Sequence, residues 1–361
     1  MKKALKIIAI VLVVAIVGTG VFVAFKCSQG ISYDISSVKK SESNVEIISE
    51  DIDGVTIRKN SDDDFRVLMF TDTHLNGKKE DKTTVSYIVK NITEQNPDLV
   101  IFGGDNVSSG FNKKRNTEFA ELMEKLGVYW ATVMGNHEGK GILAVSKEEN
   151  ARIFSSYDHC LMLKGQDDID GIGNYSVTVL NADDTVKEVF FFMDSGNYMS
   201  DELKEKYGIT DTDDVYDGVK ESQVEWYKEK HDAIEDKYGK FKSVTVVHIP
   251  PYQTEEGFEG SELLYGEKRE GICESGFDSG IFDAMKEKGS AQAVFFGHDH
   301  VNDFGYAYEG ITLSYIQPSG YGVYNMASKF DAPENEWIQG CTLLTIANDG
   351  TFTTENIFNH K

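Results

Sequence analysis

Little in this 361-residue chain points to cross-linking, to nucleic acid or to a repeated architecture. It has only four cysteines, Cys27, Cys160, Cys273 and Cys341, with no Cys-x-x-Cys pair and no regular spacing. That excludes a zinc finger and a disulfide framework, and leaves room for one bridge if the domain lies outside the cytoplasm. Basic residues are scarce: 36 Lys and Arg against 60 Asp and Glu give a formal net charge of −24. Phosphate backbones would be repelled, so no nucleic-acid partner is expected, and any anionic substrate must be attracted locally, as bound cations would do. No internal repeat or low-complexity tract is evident. The chain also lacks the His-x-His-x-Asp-His of a metallo-β-lactamase-type hydrolase. A Gly-x-Ser-x-Gly nucleophile elbow is absent too, and Ser275 in Glu274-Ser275-Gly276 does not supply one.

What is present begins with an apolar run. After Lys2 and Lys3, Ile7 to Phe25 gives 19 nearly uninterrupted apolar residues, about one bilayer core in helical rise. The lysines put the amino terminus on the cytoplasmic side and the remainder of the chain, beyond the run, outside. Residues 1–26 are therefore expected to be an N-terminal transmembrane anchor, with a cleaved signal segment as the competing reading, since Gly18, Thr19 and Gly20 are small residues near its end. Localisation depends on that choice: membrane-anchored with an extracytoplasmic catalytic domain, or secreted. Residues 27–62 read as a polar tether with edge strands around Val45–Ile48 and Val55–Ile57, and residues 63–361 as one catalytic domain.

Within that domain, short apolar runs are followed at once by polar donor types. Val128 to Val133 leads into Gly135-Asn136-His137-Glu138, Arg66 to Phe70 into Asp72 and His74, and Asp98 to Phe102 into Gly103-Gly104-Asp105-Asn106. Further on, Ser243 to Val247 delivers His248, and Ala291 to Phe296 delivers Gly297-His298-Asp299-His300. Such runs read as buried strands, and in open α/β sheets ligands gather outside the carboxyl ends of strands. Five of the eight histidines lie at these ends, a clustering that core filling does not explain. Helical patterns fall near residues 84–95, 117–126, 147–157, 221–238 and 282–288, whereas residues 175–180 and 186–193 alternate like antiparallel strands. The fold class is α/β (α+β), two packed mixed β-sheets flanked by helices. Residues 250–279, rich in Gly, Glu and Tyr, are expected to overhang the crevice as a loop. Lys268 and Arg269 there are read as solvated charges that would otherwise meet a phosphate tail.

The ordered set Asp72-x-His74, Gly104-Asp105, Gly135-Asn136-His137-Glu138, His248 and Gly297-His298-x-His300 resembles the calcineurin-like metallophosphoesterase superfamily. Glu270-Gly271-Ile272, the stretch from Gly297 to Phe304, and Ser319-Gly320-Tyr321-Gly322 look like its purple-acid-phosphatase-like branch. The resemblance implies the four-layer fold of that superfamily and two metal ions, of Mn, Fe or Zn character from the carboxylate, imidazole and amide donors. It implies that Asp105 bridges them, with Asp72, His74 and His300 on the first and Asn136, His248 and His298 on the second. Phosphate esters, mono or di, would be hydrolysed by attack of a metal-bridging hydroxide, with His137 assisting the leaving group. Ser108 stands where purple acid phosphatases carry a tyrosine three residues after the bridging Asp, so a ferric-tyrosinate centre is not expected. The alternative from another class is a non-catalytic, metal-holding surface domain that binds a ligand or partner. Oligomeric state is left open.

Overall fold

The computed structural model describes residues 2–41, 43–210 and 214–360, with the side chains of residues 2–11, 13 and 14 outside the described set. In chain order it begins with helix α1 (Lys2–Ser28) and strands β1 (Val45–Glu50), β2 (Gly54–Lys59) and β3 (Phe65–Phe70). Helix α2 (Glu80–Gln95), β4 (Leu99–Phe102), α3 (Lys113–Leu126), β5 (Trp130–Thr132) and α4 (Lys147–Phe154) follow. Next come β6 (Tyr175–Leu180), β7 (Val186–Phe192), α5 (Asp201–Lys206), α6 (Glu221–Tyr238), β8 (Ser243–Val246), α7 (Thr254–Phe258) and β9 (Leu263–Tyr265). The chain closes with α8 (Ile281–Lys288), β10 (Ala291–Phe296), β11 (Gly305–Tyr308), β12 (Ile311–Tyr315), α9 (Met326–Phe330), β13 (Gly340–Ile346) and β14 (Phe352–Phe358).

These strands form a nine-stranded sheet, β1-β2-β6-β7-β8-β10-β12-β11-β9, and a five-stranded sheet, β14-β13-β3-β4-β5. Both are mixed. In the larger, β8 and β10 are parallel while β6 and β7 are antiparallel. In the smaller, β3, β4 and β5 are parallel neighbours, with β13 antiparallel to β3.

Strand β7 explains the stacking. Phe190 and Phe192 belong to the core shared with the five-stranded sheet, whereas Val189 and Phe191 belong to a second core with Trp226 and Tyr227 of α6. Successive side chains point to opposite faces, so a strand apolar on both must be covered on both. The rings of Phe65 on β3 and Phe190 on β7 lie 6.5 Å apart between the sheets. On the other side of the five-stranded sheet, α2 supplies Val85, Ile88 and Ile92 and α3 supplies Phe119 and Met123 to the same core. The expected two-sheet, helix-flanked architecture is what the chain adopts.

Two expectations need correction. Residues 27–62 carry the expected strands, β1 at the sheet edge with β2 beside it, but the polar part before them is not a free tether: Ile31 is buried, Ser41 N–H donates to Leu126 O at 2.7 Å, and Lys114 Nζ donates to Ser28 O at 3.0 Å, so it is docked on α3. Its serines and lysines hid the few contacts that matter. Residues 250–279 do not chiefly overhang the crevice. They contain α7 and β9, and β9 adds to the edge of the large sheet beside β11. Lys268 and Arg269 are engaged there, Arg269 with Asp303 at 2.5 Å and Lys268 with Glu255 at 3.8 Å. For the N-terminal segment, the backbone of α1 is helical, but among the described residues no helix is long and apolar enough to cross a membrane. Much of the apolar run lies outside the described side chains.

Candidate metal centre

Five strand ends meet at one margin of the sandwich, β3, β4 and β5 from the small sheet and β8 and β10 from the large one. Their loops are sewn together by backbone bonds, His74 N–H to Asp105 O at 2.9 Å and Gly297 N–H to His248 O at 3.1 Å. The two sheets are joined where His298 N–H donates to Asp72 Oδ2 at 2.9 Å. Asp72, His74, Asp105 and His298 all have positive φ, at 53°, 45°, 52° and 79°. Left-handed conformations in non-glycine residues cost about 1–3 kcal/mol each and persist where the surroundings over-determine them. Here they curl each loop back so that donors from neighbouring residues converge.

The seven residues expected to hold metal are all brought together. His74 Nε2 lies 3.5 Å from Asp72 Oδ1 and 3.4 Å from Asp105 Oδ2, and His300 Nε2 lies 3.4 Å from Asp72 Oδ1 and 3.2 Å from His74 Nε2. On the other side of Asp105, His248 Nε2 is 3.2 Å from Asp105 Oδ2 and 3.0 Å from Asn136 Oδ1. His298 Nδ1 is also 3.0 Å from Asn136 Oδ1. Two groups of donors thus share Asp105.

The donors are prepared by their neighbours. Asp72 Oδ2 accepts from Thr71 Oγ1 at 2.8 Å and from His298 N–H, and Asp105 Oδ1 accepts from His137 N–H at 2.7 Å. That leaves Asp72 Oδ1 and Asp105 Oδ2 buried without a hydrogen bond. His248 Nδ1 faces Gly103 O at 2.8 Å. Donation there fixes the tautomer and turns the Nε2 lone pair toward Asn136 and Asp105. Buried orphan acceptors are costly, and lone pairs crowded at this spacing repel unless a cation lies between them. Metal–ligand distances of about 2.0–2.2 Å put neighbouring ligands roughly 3 Å apart, so the donor set fits divalent or trivalent ions.

Electrostatics agree. Burial alone would raise Asp72 and Asp105, yet the imidazoles of His300 and His74 beside the first, and of His248 beside the second, hold both carboxyls well below the usual range. Burial would depress His248, but Asp105 pushes it up to about 10. His298, buried and next to the His248 charge, falls to about 3. These shifts express one demand, two carboxylates calling for positive charge.

His137 is outside the donor set. Its imidazole is exposed toward the cavity, 5.0 Å and edge-on from His74. Packing of the rest of the ring lowers its pKa, with Asp105 opposing. The neighbouring Glu138, grouped by the sequence with ligand chemistry, does something else. It is fully buried and accepts from Gly135 N–H, Asp105 N–H and Asn106 N–H at 2.9, 3.1 and 2.7 Å, clamping two loops. Tyr324 and Tyr216 were not singled out by the sequence. Tyr324 stacks on His300 at 4.2 Å, its hydroxyl accepting from His300 N–H at 3.2 Å and donating to Glu270 Oε1 at 3.1 Å. Tyr216 meets His298 edge-on at 4.3 Å. Nothing in the spacing of these tyrosines marks them. The centre opens into a cavity of about 740 Å³.

Residues 65–302 match the calcineurin-like phosphoesterase family. Over 306 residues the chain is 28% identical to a protein of Arabidopsis thaliana named probable inactive purple acid phosphatase 14, covering 74% of this chain and 73% of that one. It is 26% identical over 243 residues to the phosphatase DCR2 of Saccharomyces cerevisiae, covering 63% of this chain and 40% of that protein. Among solved structures, a dimetal phosphatase from Danio rerio aligns over 81% of this chain and 99% of its own, at 12% identity and a TM-score of 0.47. By the match over residues 65–302, this chain belongs to the calcineurin-like phosphoesterase family.

Proposed function

We propose that the chain is a phosphoric ester hydrolase working with two metal ions. The observation that carries this reading is the convergence of Asp72, His74, Asp105, Asn136, His248, His298 and His300 with two buried carboxylate oxygens otherwise unpaired. In it, Asp72, His74 and His300 would hold one ion, Asn136, His248 and His298 the other, and Asp105 would serve both. Ions held there would supply a nucleophilic water at neutral pH and would neutralise charge on the phosphoryl oxygens. The protein's own part is to orient and to move a proton. Glu138 and the His137 N–H bond keep Asp105 in place. The His137 ring, exposed beside the donors, is placed to give a proton to the departing oxygen. Ser108 directs its hydroxyl to His74 O at 3.4 Å, so that position offers no phenolate, and a purple ferric-tyrosinate colour is not expected.

The word "inactive" in the names of the plant relatives favours a second reading, a metal-holding surface domain without catalysis. Metal analysis of the purified protein, paired with a panel of phosphomonoesters and phosphodiesters in added Mn, separates the two. Metal content near two per chain without turnover of any ester would sink the hydrolytic reading. We also propose that residues 1–26 anchor the protein in a membrane with the catalytic part outside the cytoplasm, on the strength of the apolar run from Ile7 to Phe25 behind Lys2 and Lys3. Carbonate extraction of membranes from expressing cells, with protease protection, tests both parts.

A further inference from the structure

The cavity above the donors, about 740 Å³, is larger than one phosphoryl group requires, and its wall lacks the acidic excess of the chain, with two lysines against two aspartates. In a protein of net charge −24, the only carboxylates among the described lining residues are Asp105 and Asp299, both buried. Asp299 is already occupied, accepting from Tyr315 and from Cys273 N–H. Lys26 and Lys78, by contrast, line the cavity with no acidic partner among the described residues. The Lys26 ammonium reaches Gln29 Oε1 at 3.5 Å, and Gln29 lines the same wall.

The two lysines sit on one side and on fixed backbone. A Cβ on Gly77 would lie 3.4 Å from Gly30 O, so the loop carrying Lys78 abuts the segment carrying Lys26. That loop is clamped by Asp81, which accepts from Asn76 N–H at 3.0 Å and from Gly77 N–H at 2.8 Å. The segment after Lys26 is held by Lys114 on Ser28 O at 3.0 Å and by Glu118 accepting from Ile31 N–H at 2.5 Å. Ammonium groups without an acidic partner on a concave wall concentrate an anion.

We propose that Lys26, Gln29 and Lys78 form an anion subsite beside the phosphoester centre. The substrate then carries a second anionic group, a phosphate, on the part that is not transferred. The inference rests on the hydrolytic reading. The same chemistry is offered by a free bisphosphate and by a phosphorylated lipid headgroup, the latter reaching the cavity along α1, which ends at this wall.

The test uses the full-length chain and its Lys26→Ala, Lys78→Ala and double variants, with inositol bisphosphate and p-nitrophenyl phosphate as substrates in Mn. The ratio of kcat/KM for the bisphosphate over the monophosphate is expected to fall about 10-fold for each lysine, the value of one charge-assisted contact. Lys78→Glu is expected to lower it further, and added salt to lower it in the wild type more than in the double variant. An unchanged ratio in the double variant overturns the subsite. Phosphatidylinositol bisphosphate in phosphatidylcholine vesicles distinguishes the sources: a larger loss on vesicles than on the soluble ester identifies the lipid, an equal loss the free bisphosphate. Should no ester be turned over, the hydrolytic reading fails but the subsite is still read by calorimetric titration of inositol bisphosphate. A dissociation constant about 10-fold weaker in the double variant upholds the subsite, and equal constants overturn it.

Discussion

His137 and Tyr324 stand at the same margin and should fail in different ways. His137 spends only its backbone N–H on Asp105 and leaves its ring facing the cavity. His137→Ala is therefore expected to retain both metals while losing about 10²- to 10⁴-fold of turnover on p-nitrophenyl phosphate. Metal content by mass spectrometry and steady-state rates decide it, and unchanged turnover would remove His137 from the chemistry. Tyr324 touches a donor, with ring on His300 and hydroxyl between His300 N–H and Glu270. Tyr324→Phe keeps the stack and loses the tie, so metal affinity should drop by about 10-fold, at the low end for outer partners of a ligand. Titration of the stripped protein with Mn measures this; an affinity equal to wild type would mean that the hydroxyl positions nothing.

At the scale of the strands and their turns, close approach matters more than side-chain chemistry. A Cβ on Gly135 would stand 2.2 Å from Asp105 Oδ1 and 2.5 Å from Asp105 N. Gly135→Ala must displace the loop after β4, and should lower both metal occupancy and Tm, whereas full occupancy would show that the turn yields easily. Strand β7 carries a different liability. Glu188 is buried, one oxygen accepting from Gln292 at 3.1 Å and the other unpaired, and burial pushes its carboxyl up to about 8. A carboxyl that holds its proton more tightly folded than unfolded favours the fold at low pH. That contribution is lost as pH rises from the ordinary glutamate range through about 8. Glu188→Gln removes the penalty and should raise Tm above pH 8 by about 2–4 °C for each kcal/mol recovered, with little change at pH 5. Calorimetry at the two pH values checks this, and an equal shift at both would place the cause elsewhere.

For the molecule as a whole, the centre is where the two sheets are pinned at one margin, since Asp72 and Asp105 come from the small sheet and His248, His298 and His300 from the large one. Bound ions should therefore stabilise the entire fold. At a hundredfold excess over the dissociation constant the gain is about 2.7 kcal/mol, or roughly 5–10 °C in Tm at about 2–4 °C per kcal/mol. Stripping the ions with a chelator and restoring them with Mn should move Tm down and back by that amount. A melting curve indifferent to both would argue against ions held between the sheets.

Much of this was legible in the chain itself. Each strand leading into a donor is a short apolar run that can only be buried, and the donor comes directly after it, so the order of motifs and the two-sheet architecture are readable from the residues alone. The polar residues at those ends are legible for the same reason, because residue type and adjacency to a strand end are local properties; the choice of seven donors among them is what the family resemblance implied. Tertiary structure alone decided the rest, because it depends on contacts between segments far apart in sequence. Glu138 looks like a ligand until its oxygens are seen to face three backbone N–H groups. Tyr324 has no periodic signal and acts 24 residues beyond His300. The polar stretch after α1 is docked on α3 by a few bonds and brings Gln29 to the cavity, and composition averages over such bonds.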